Sequence, residues 1–236
     1  MADDVMIMDG GMGRLLKEMG APFRQPEWSA LALMEAPDCV EKAHQQYIDA
    51  GAQVIITNSY AVVPFHIGQE KFDQEGRELI KLAAQIARQI ADKAEQKITV
   101  AGSIPPAFGS YRPDFYIEEE ADAIYLPLIE EQAPYIDVFL AETVSSTREV
   151  EKIGMLLKGK EKPFWLSYTL RDRDGRDMEP QLRSHEPVEK GVEAALQNNV
   201  DCLLFNCSQP EEIAPVLEII QAMNIGIPYG AYANAF

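Results

Sequence analysis

Basic residues are scarce in this sequence: 21 Lys and Arg stand against 38 Asp and Glu, a formal charge of −17 over 236 residues. Such a chain repels phosphates instead of neutralising them, which argues against a nucleic-acid partner. Cysteine is equally sparse. Cys39, Cys202 and Cys207 are widely spaced, contain no C-x-x-C and make no disulfide framework, which points to a reducing cytoplasm. The three histidines, His44, His66 and His185, share no ligand spacing, so these residue types alone do not assemble a metal site. No stretch approaches the ~18 consecutive apolar residues of a membrane span. The acidic start, Met1-Ala2-Asp3-Asp4, precedes a run too short for a secretory signal core. There is no Pro/Gly/Ser-rich linker and no shift in composition, which reads as one domain over 1–236. No lysine closes an early or middle strand, which removes Schiff-base chemistry.

What is present is a series of short apolar runs, each ending on a polar residue or a tight turn. Residues 5–8 lead into Asp9, 54–56 into Thr57-Asn58, and 98–101 into Gly102-Ser103. Residues 138–141 lead into Glu142, 164–166 into Ser167, and 202–205 into Asn206-Cys207. A seventh strand is expected at 227–232. The runs are continuous instead of alternating, the pattern of strands covered on both faces. Helix-period segments separate them, at 38–50, 72–93, 117–133, 145–157, 187–197 and 210–223. In the longest, Leu79, Leu82, Ala83, Ile86 and Ile90 form one apolar stripe. Pro187 and Pro210 suit a first helical turn, where no amide donor is needed.

This order predicts an α/β fold, and specifically a (β/α)8 TIM barrel whose eighth strand is missing from the sequence, so that the domain reads as C-terminally incomplete. An open doubly wound sheet is the competitor. The turn Gly10-Gly11-Met12-Gly13 does not match G-x-G-x-x-G, and Asp9 would set negative charge against a pyrophosphate. In a barrel, every strand's C-terminal end faces one mouth.

The candidates for chemistry lie at those ends. Asp9 and Glu142 are carboxylates suited to an amino group, acid–base work or a metal, or else to capping a loop. Asn58 and Asn206 offer donor and acceptor together, or serve as turn residues. Cys207, before a Pro-started helix, is a nucleophile or soft-metal ligand whose position favours thiolate, or else a small buried apolar group. Cys202, at the start of the same strand, reads as packing. The loop of residues 102–114 is stiff with Pro and aromatics, a lid or an ordered surface loop. His185 reads as a solvated loop residue, and Glu118-Glu119-Glu120 as a helix N-terminus complementing the dipole.

These motifs resemble a known family. Ile7-Met8-Asp9-Gly10-Gly11-Met12-Gly13 resembles the opening strand and turn of the homocysteine S-methyltransferase family. Ile56-Thr57-Asn58-Ser59-Tyr60, Ala101-Gly102-Ser103, Ala141-Glu142-Thr143 and Phe205-Asn206-Cys207 look like its later strand ends, in order. Leu182-Arg183-Ser184 before Pro187 is similar to its loop after strand five. The resemblance covers essentially the whole chain. It implies a zinc enzyme on a (β/α)8 barrel that moves a methyl group from a sulfonium or ammonium donor to the thiol of homocysteine, giving methionine. It implies that Asp9 and Glu142 bind the ammonium of homocysteine with Asn58 assisting, and that Cys207 is one of three zinc thiolates. The other two come, in the family, from a Gly-Gly-Cys-Cys motif without counterpart up to Phe236; in a chain continuing past Phe236, the next strand would supply them. Zinc would strip the proton from a thiol of pKa ~8.5. A negative mouth would suit a cationic donor, although net charge does not locate that field. The alternatives are a metal-free amino-acid-binding barrel module and a barrel lyase using Asp9 and Glu142.

Overall fold

A computed structural model describes residues 5–172 and 179–234. It divides into two compact units, Met1–Ile104 with Leu126–Phe139, and Pro105–Tyr125 with Leu140–Phe236. The fold is α/β, and the hydrogen-bonded strand order is β1-β2-β3-β4-β5-β6, the order of the chain. β3 (Val138–Val144) opens in the first unit and continues in the second.

In the first unit β1 (Val54–Ile56) pairs parallel with β2 (Thr99–Ile104), Ile55 opposite Val100. Residues 5–8 were expected to be a buried strand. They reach the sheet at one bridge, Met8 with Val54, and Val5, Met6 and Ile7 are exposed. The physical reason is one-sided pairing. Gln53 and Val54 donate to the Ile7 carbonyl and Asp9 donates to that of Val54, while no described strand lies on the other side. Three short helices were not anticipated from the pattern: α1 (Met12–Glu18), α2 (Ser29–Glu35) and α4 (Pro64–Ile67). α3 (Pro37–Asp49) starts at Pro37, whose missing N–H costs nothing there, so Asp38 lies in the first turn and pairs with Lys42 instead of capping. α5 (Gln69–Lys93) buries Leu79, Ala83, Ile86 and Ile90 as the stripe predicts, and Leu82 sits at its margin. Fully burying one such Leu or Ile side chain contributes ~1.5–3 kcal/mol.

In the second unit β4 (Phe164–Tyr168), β5 (Cys202–Asn206) and β6 (Tyr229–Tyr232) run parallel, with Ser167 opposite Leu204 and Asn206 opposite Tyr232. β6 falls inside the expected seventh run. α6 (Glu118–Gln132), α7 (Thr147–Leu157), α8 (Val188–Gln197) and α9 (Pro210–Met223) match the predicted helices within two residues at each end, and Glu118, Glu119 and Glu120 form the acidic first turn of α6.

The residue just before a strand repeatedly sets its parallel register. Asp137 accepts the N–H of Val100 at 2.8 Å, Asp201 that of Phe164 at 2.8 Å, and Gln53 that of Ile7 at 3.1 Å. Each bond satisfies a donor at the strand's starting end and fixes which residues face one another.

Candidate active site

The end of β5 carries a buried polar network. Asn206 is 1% exposed and uses both ends of its amide. Its Oδ1 accepts the Thr143 N–H at 3.0 Å and the Ser167 hydroxyl at 2.9 Å. Its Nδ2 donates to Thr143 Oγ1 at 2.9 Å and to Cys207 Sγ at 3.5 Å. The Thr143 hydroxyl in turn donates a hydrogen bond to Cys207 Sγ, 3.6 Å away. Ser208 closes the turn, donating to the Asn206 carbonyl at 3.0 Å and accepting the Leu170 N–H at 2.9 Å.

Two of these residues have left-handed backbone: Thr143 with φ 59° and Cys207 with φ 49°. For a β-branched threonine this costs ~1–3 kcal/mol, and it persists only where neighbours over-determine it. The two bonds from Asn206 to Thr143 supply that determination. Tyr111 and His185, also left-handed, lie in loops of the same unit, and Tyr111 donates a hydrogen bond to Cys207. Strained backbone of this kind clusters at functional sites, which makes these strand ends a candidate site.

Glu142, 7% exposed, stands one residue before Thr143 and accepts the Tyr232 hydroxyl at 3.3 Å. Burial, followed by the Glu142 carboxylate, raises the Tyr232 hydroxyl well above the usual phenol value, so Tyr232 stays a donor. Cys207 corrects an expectation. Its thiol is raised, first by burial and then by Glu142, while hydrogen bonds from Thr143 and Tyr111 and the charge of Arg183 oppose the rise. α9 begins only at Pro210, so its dipole does not make Cys207 a thiolate. Cys202 is buried packing, as expected.

Asp9 and Asn58 lie in the first unit, where both have structural duties. Asp9 Oδ2 accepts the Ile56 N–H at 2.8 Å, and its carboxylate helps raise Tyr47, already lifted by burial, to about 12. A Cβ on Gly10 would meet the Tyr47 ring at 3.1 Å, so this glycine admits the tyrosine beside Asp9. Asn58, 3% exposed, donates to the Ser29 carbonyl at 3.1 Å. Behind Asn58, Gln132 is fully buried and fully bonded: it accepts from Thr57 at 2.6 Å and Ser59 at 3.1 Å, and donates to Ser103 and Leu128 carbonyls.

Of the residues singled out from the sequence, the second unit brings Glu142, Asn206 and Cys207 into one cluster. Thr143, Ser167, Tyr111 and Tyr232 complete it and were not anticipated; their adjacency to Glu142, to a strand end or to the aromatic loop was the available signal. Among the described residues no group of three His, Cys, Asp or Glu is placed to hold a metal ion.

Residues 6–236 match the family model described as homocysteine S-methyltransferase. The homocysteine S-methyltransferase of Escherichia coli K12 is 27% identical, over 98% of this chain and 78% of its own length. Homocysteine S-methyltransferase YbgG of Bacillus subtilis is 31% identical, over 71% of this chain and 59% of its own. The crystal structure of the homocysteine methyltransferase MmuM from Escherichia coli, in metallated form, superposes over 100% of this chain and 85% of its own, with TM-score 0.84 and 27% identity. The chain belongs to the homocysteine S-methyltransferase family.

Proposed function

We propose that this chain transfers a methyl group from a sulfonium or ammonium donor to the thiol of homocysteine, giving methionine. The observation that carries the reading is the Glu142–Thr143 and Asn206–Cys207 cluster, two strand ends locked together in a member of this family. Residues 1–236 are read as one homocysteine-binding domain of (β/α)8 type, a reading supported by the unbroken family match.

Glu142 is assigned the ammonium of homocysteine. It is nearly buried, acidic and oriented by Tyr232, so a charge-assisted hydrogen bond there meets little competition from water. Asp9 and Asn58, which belong to the first unit, are assigned to substrate binding on the family resemblance. Asn206, Thr143 and Tyr111 direct N–H and O–H groups at the Cys207 sulfur, which fixes its position and favours its charged form against burial.

A tetrahedral zinc site needs three or four ligands. In the Cys207 cluster the neighbours of the sulfur are an amide, a threonine and a tyrosine hydroxyl, so the described residues do not complete such a site. The reading assigns Cys207 one ligand position of the zinc that the family suggests.

The test is isotopic. The protein is incubated with homocysteine and methyl-deuterated S-methylmethionine or betaine, and methionine is followed by mass spectrometry. Labelled methionine supports the assignment; none with any donor refutes it.

A further inference from the structure

A cavity of about 680 Å³ in the second unit adjoins the Cys207 cluster and has the opposite charge to the chain as a whole. Four arginines line it, Arg112, Arg148, Arg171 and Arg183, against two carboxylates, Asp114 and Glu186. Neither carboxylate neutralises all four. Asp114 is engaged by both forks of Arg112 at 2.8 and 2.6 Å. Glu186 is saturated by Lys190, by the Thr147 N–H and hydroxyl, and by Ser184; against burial these donors hold its carboxyl at about 2.

The other arginines therefore keep donors to spare. Among the described residues no carboxylate pairs with Arg171, which donates to Gln181 Oε1 at 3.3 Å. Arg148 reaches Glu118 only at 3.5 Å. Arg183 gives one amino group to Asp172 at 2.8 Å, and among the described residues its buried Nε has no hydrogen-bond partner. An unpaired guanidinium presents the planar donor fork that fits carboxylate or phosphate.

The pocket shares a wall with the proposed reaction centre. Tyr111 lines the cavity and bonds to Cys207, and Arg183 lines the cavity while its charge acts on the same sulfur. A cationic methyl group is repelled from three arginines and attracted towards Glu142. A donor carrying both charges is thereby oriented.

We propose that this pocket takes the anionic end, carboxylate or phosphate, of a zwitterionic methyl donor, held by Arg148, Arg171 and Arg183, with the cationic methyl-bearing centre turned towards Glu142 and Cys207. The proposal rests on the methyl-transfer reading and replaces the expected negative mouth, at this pocket, by a positive one.

Calorimetry on the 236-residue protein tests it, with S-methyl-L-methionine, inorganic phosphate and homocysteine as separate titrants. The variants are Arg148→Gln, Arg171→Gln, the double variant, and Arg171→Lys, which keeps the charge and loses the fork. Each Arg→Gln change should weaken S-methylmethionine roughly tenfold or more, with Arg171→Lys between. Homocysteine affinity should not change. If phosphate binds the wild type more tightly than S-methylmethionine does and is lost in the double variant, the anionic end is a phosphate. Wild-type protein that binds neither anion, or a double variant that binds S-methylmethionine and phosphate as the wild type does, overturns the proposal. Arginine-dependent anion binding without any homocysteine binding overturns the methyl-transfer reading and leaves the anion pocket standing.

Discussion

Replacing Asn206 by alanine removes the clamp on the strained strand end. The Thr143 N–H and the Ser167 hydroxyl lose their acceptor, and Thr143 Oγ1 and Cys207 Sγ lose a donor. Ser167 has a second partner in Tyr232 and can rotate, so its loss is small. The Thr143 amide is fully buried, and leaving it unsatisfied costs ~1–3 kcal/mol. The left-handed Thr143 then lacks the bonds that hold it, another ~1–2 kcal/mol unless the loop relaxes. The sum, about 2–5 kcal/mol, is a large part of the ~5–15 kcal/mol stability of a domain. With a urea slope of about 2–3 kcal/mol per molar, the unfolding midpoint followed by circular dichroism should fall by ~1–2 M. Asn206→Asp keeps the acceptor and loses the donor, and it adds a buried charge near Glu142, so it should be no milder. A midpoint for Asn206→Ala within about 0.3 M of the wild type would refute the clamp.

Two further predictions concern pH. Glu149 is buried, and burial, opposed by donors from Ser146 and Ser145, raises its carboxyl from the usual 4.5 to about 7. Its neutral form is favoured in the fold, so its contribution is most favourable below about pH 4.5 and is lost as pH rises through about 7. Glu149→Gln should therefore stabilise the protein at pH 8 by about 3 kcal/mol and do little at pH 4.5; a constant difference across that range would contradict the buried-acid account. His44 is fully buried, neither ring nitrogen has a hydrogen-bond partner among the described residues, and burial lowers it to about 4. Here the unfolded chain binds the proton first, so stability is present above about pH 6.5 and lost as pH falls towards 4. His44→Leu should flatten acid melts over that interval by about 3 kcal/mol, and an unchanged acid limb would refute it.

Much of this architecture was legible because local rules agreed with tertiary ones. The stripe on α5, Pro210 at the first turn of α9, and the apolar run ending in Asn206 and Cys207 need no long-range information. Residues 5–7 misled because an apolar run shows strand character but not whether both sides will be covered. α1, α2 and α4 escaped notice because four to seven residues are too few for helical periodicity to show. In the candidate site, Glu142 and Cys207 were singled out by residue type and position. Thr143 was not, since its left-handed backbone contradicts β-branched preference and arises only from the Asn206 bonds. The arginine pocket was hidden for a different reason: a net charge of −17 averages over the surface and is silent about four arginines drawn from separate loops and a helix start.

The central claim is that Glu142 holds the ammonium of homocysteine beside Cys207. Homocysteine titrated by calorimetry into the wild type and into Glu142→Ala tests it most directly. Saturable wild-type binding, weakened in the variant by ~1.5–3 kcal/mol or about ten- to a hundredfold in Kd, is the result this account predicts. No homocysteine binding by the wild type, or equal affinities for the two proteins, would contradict it.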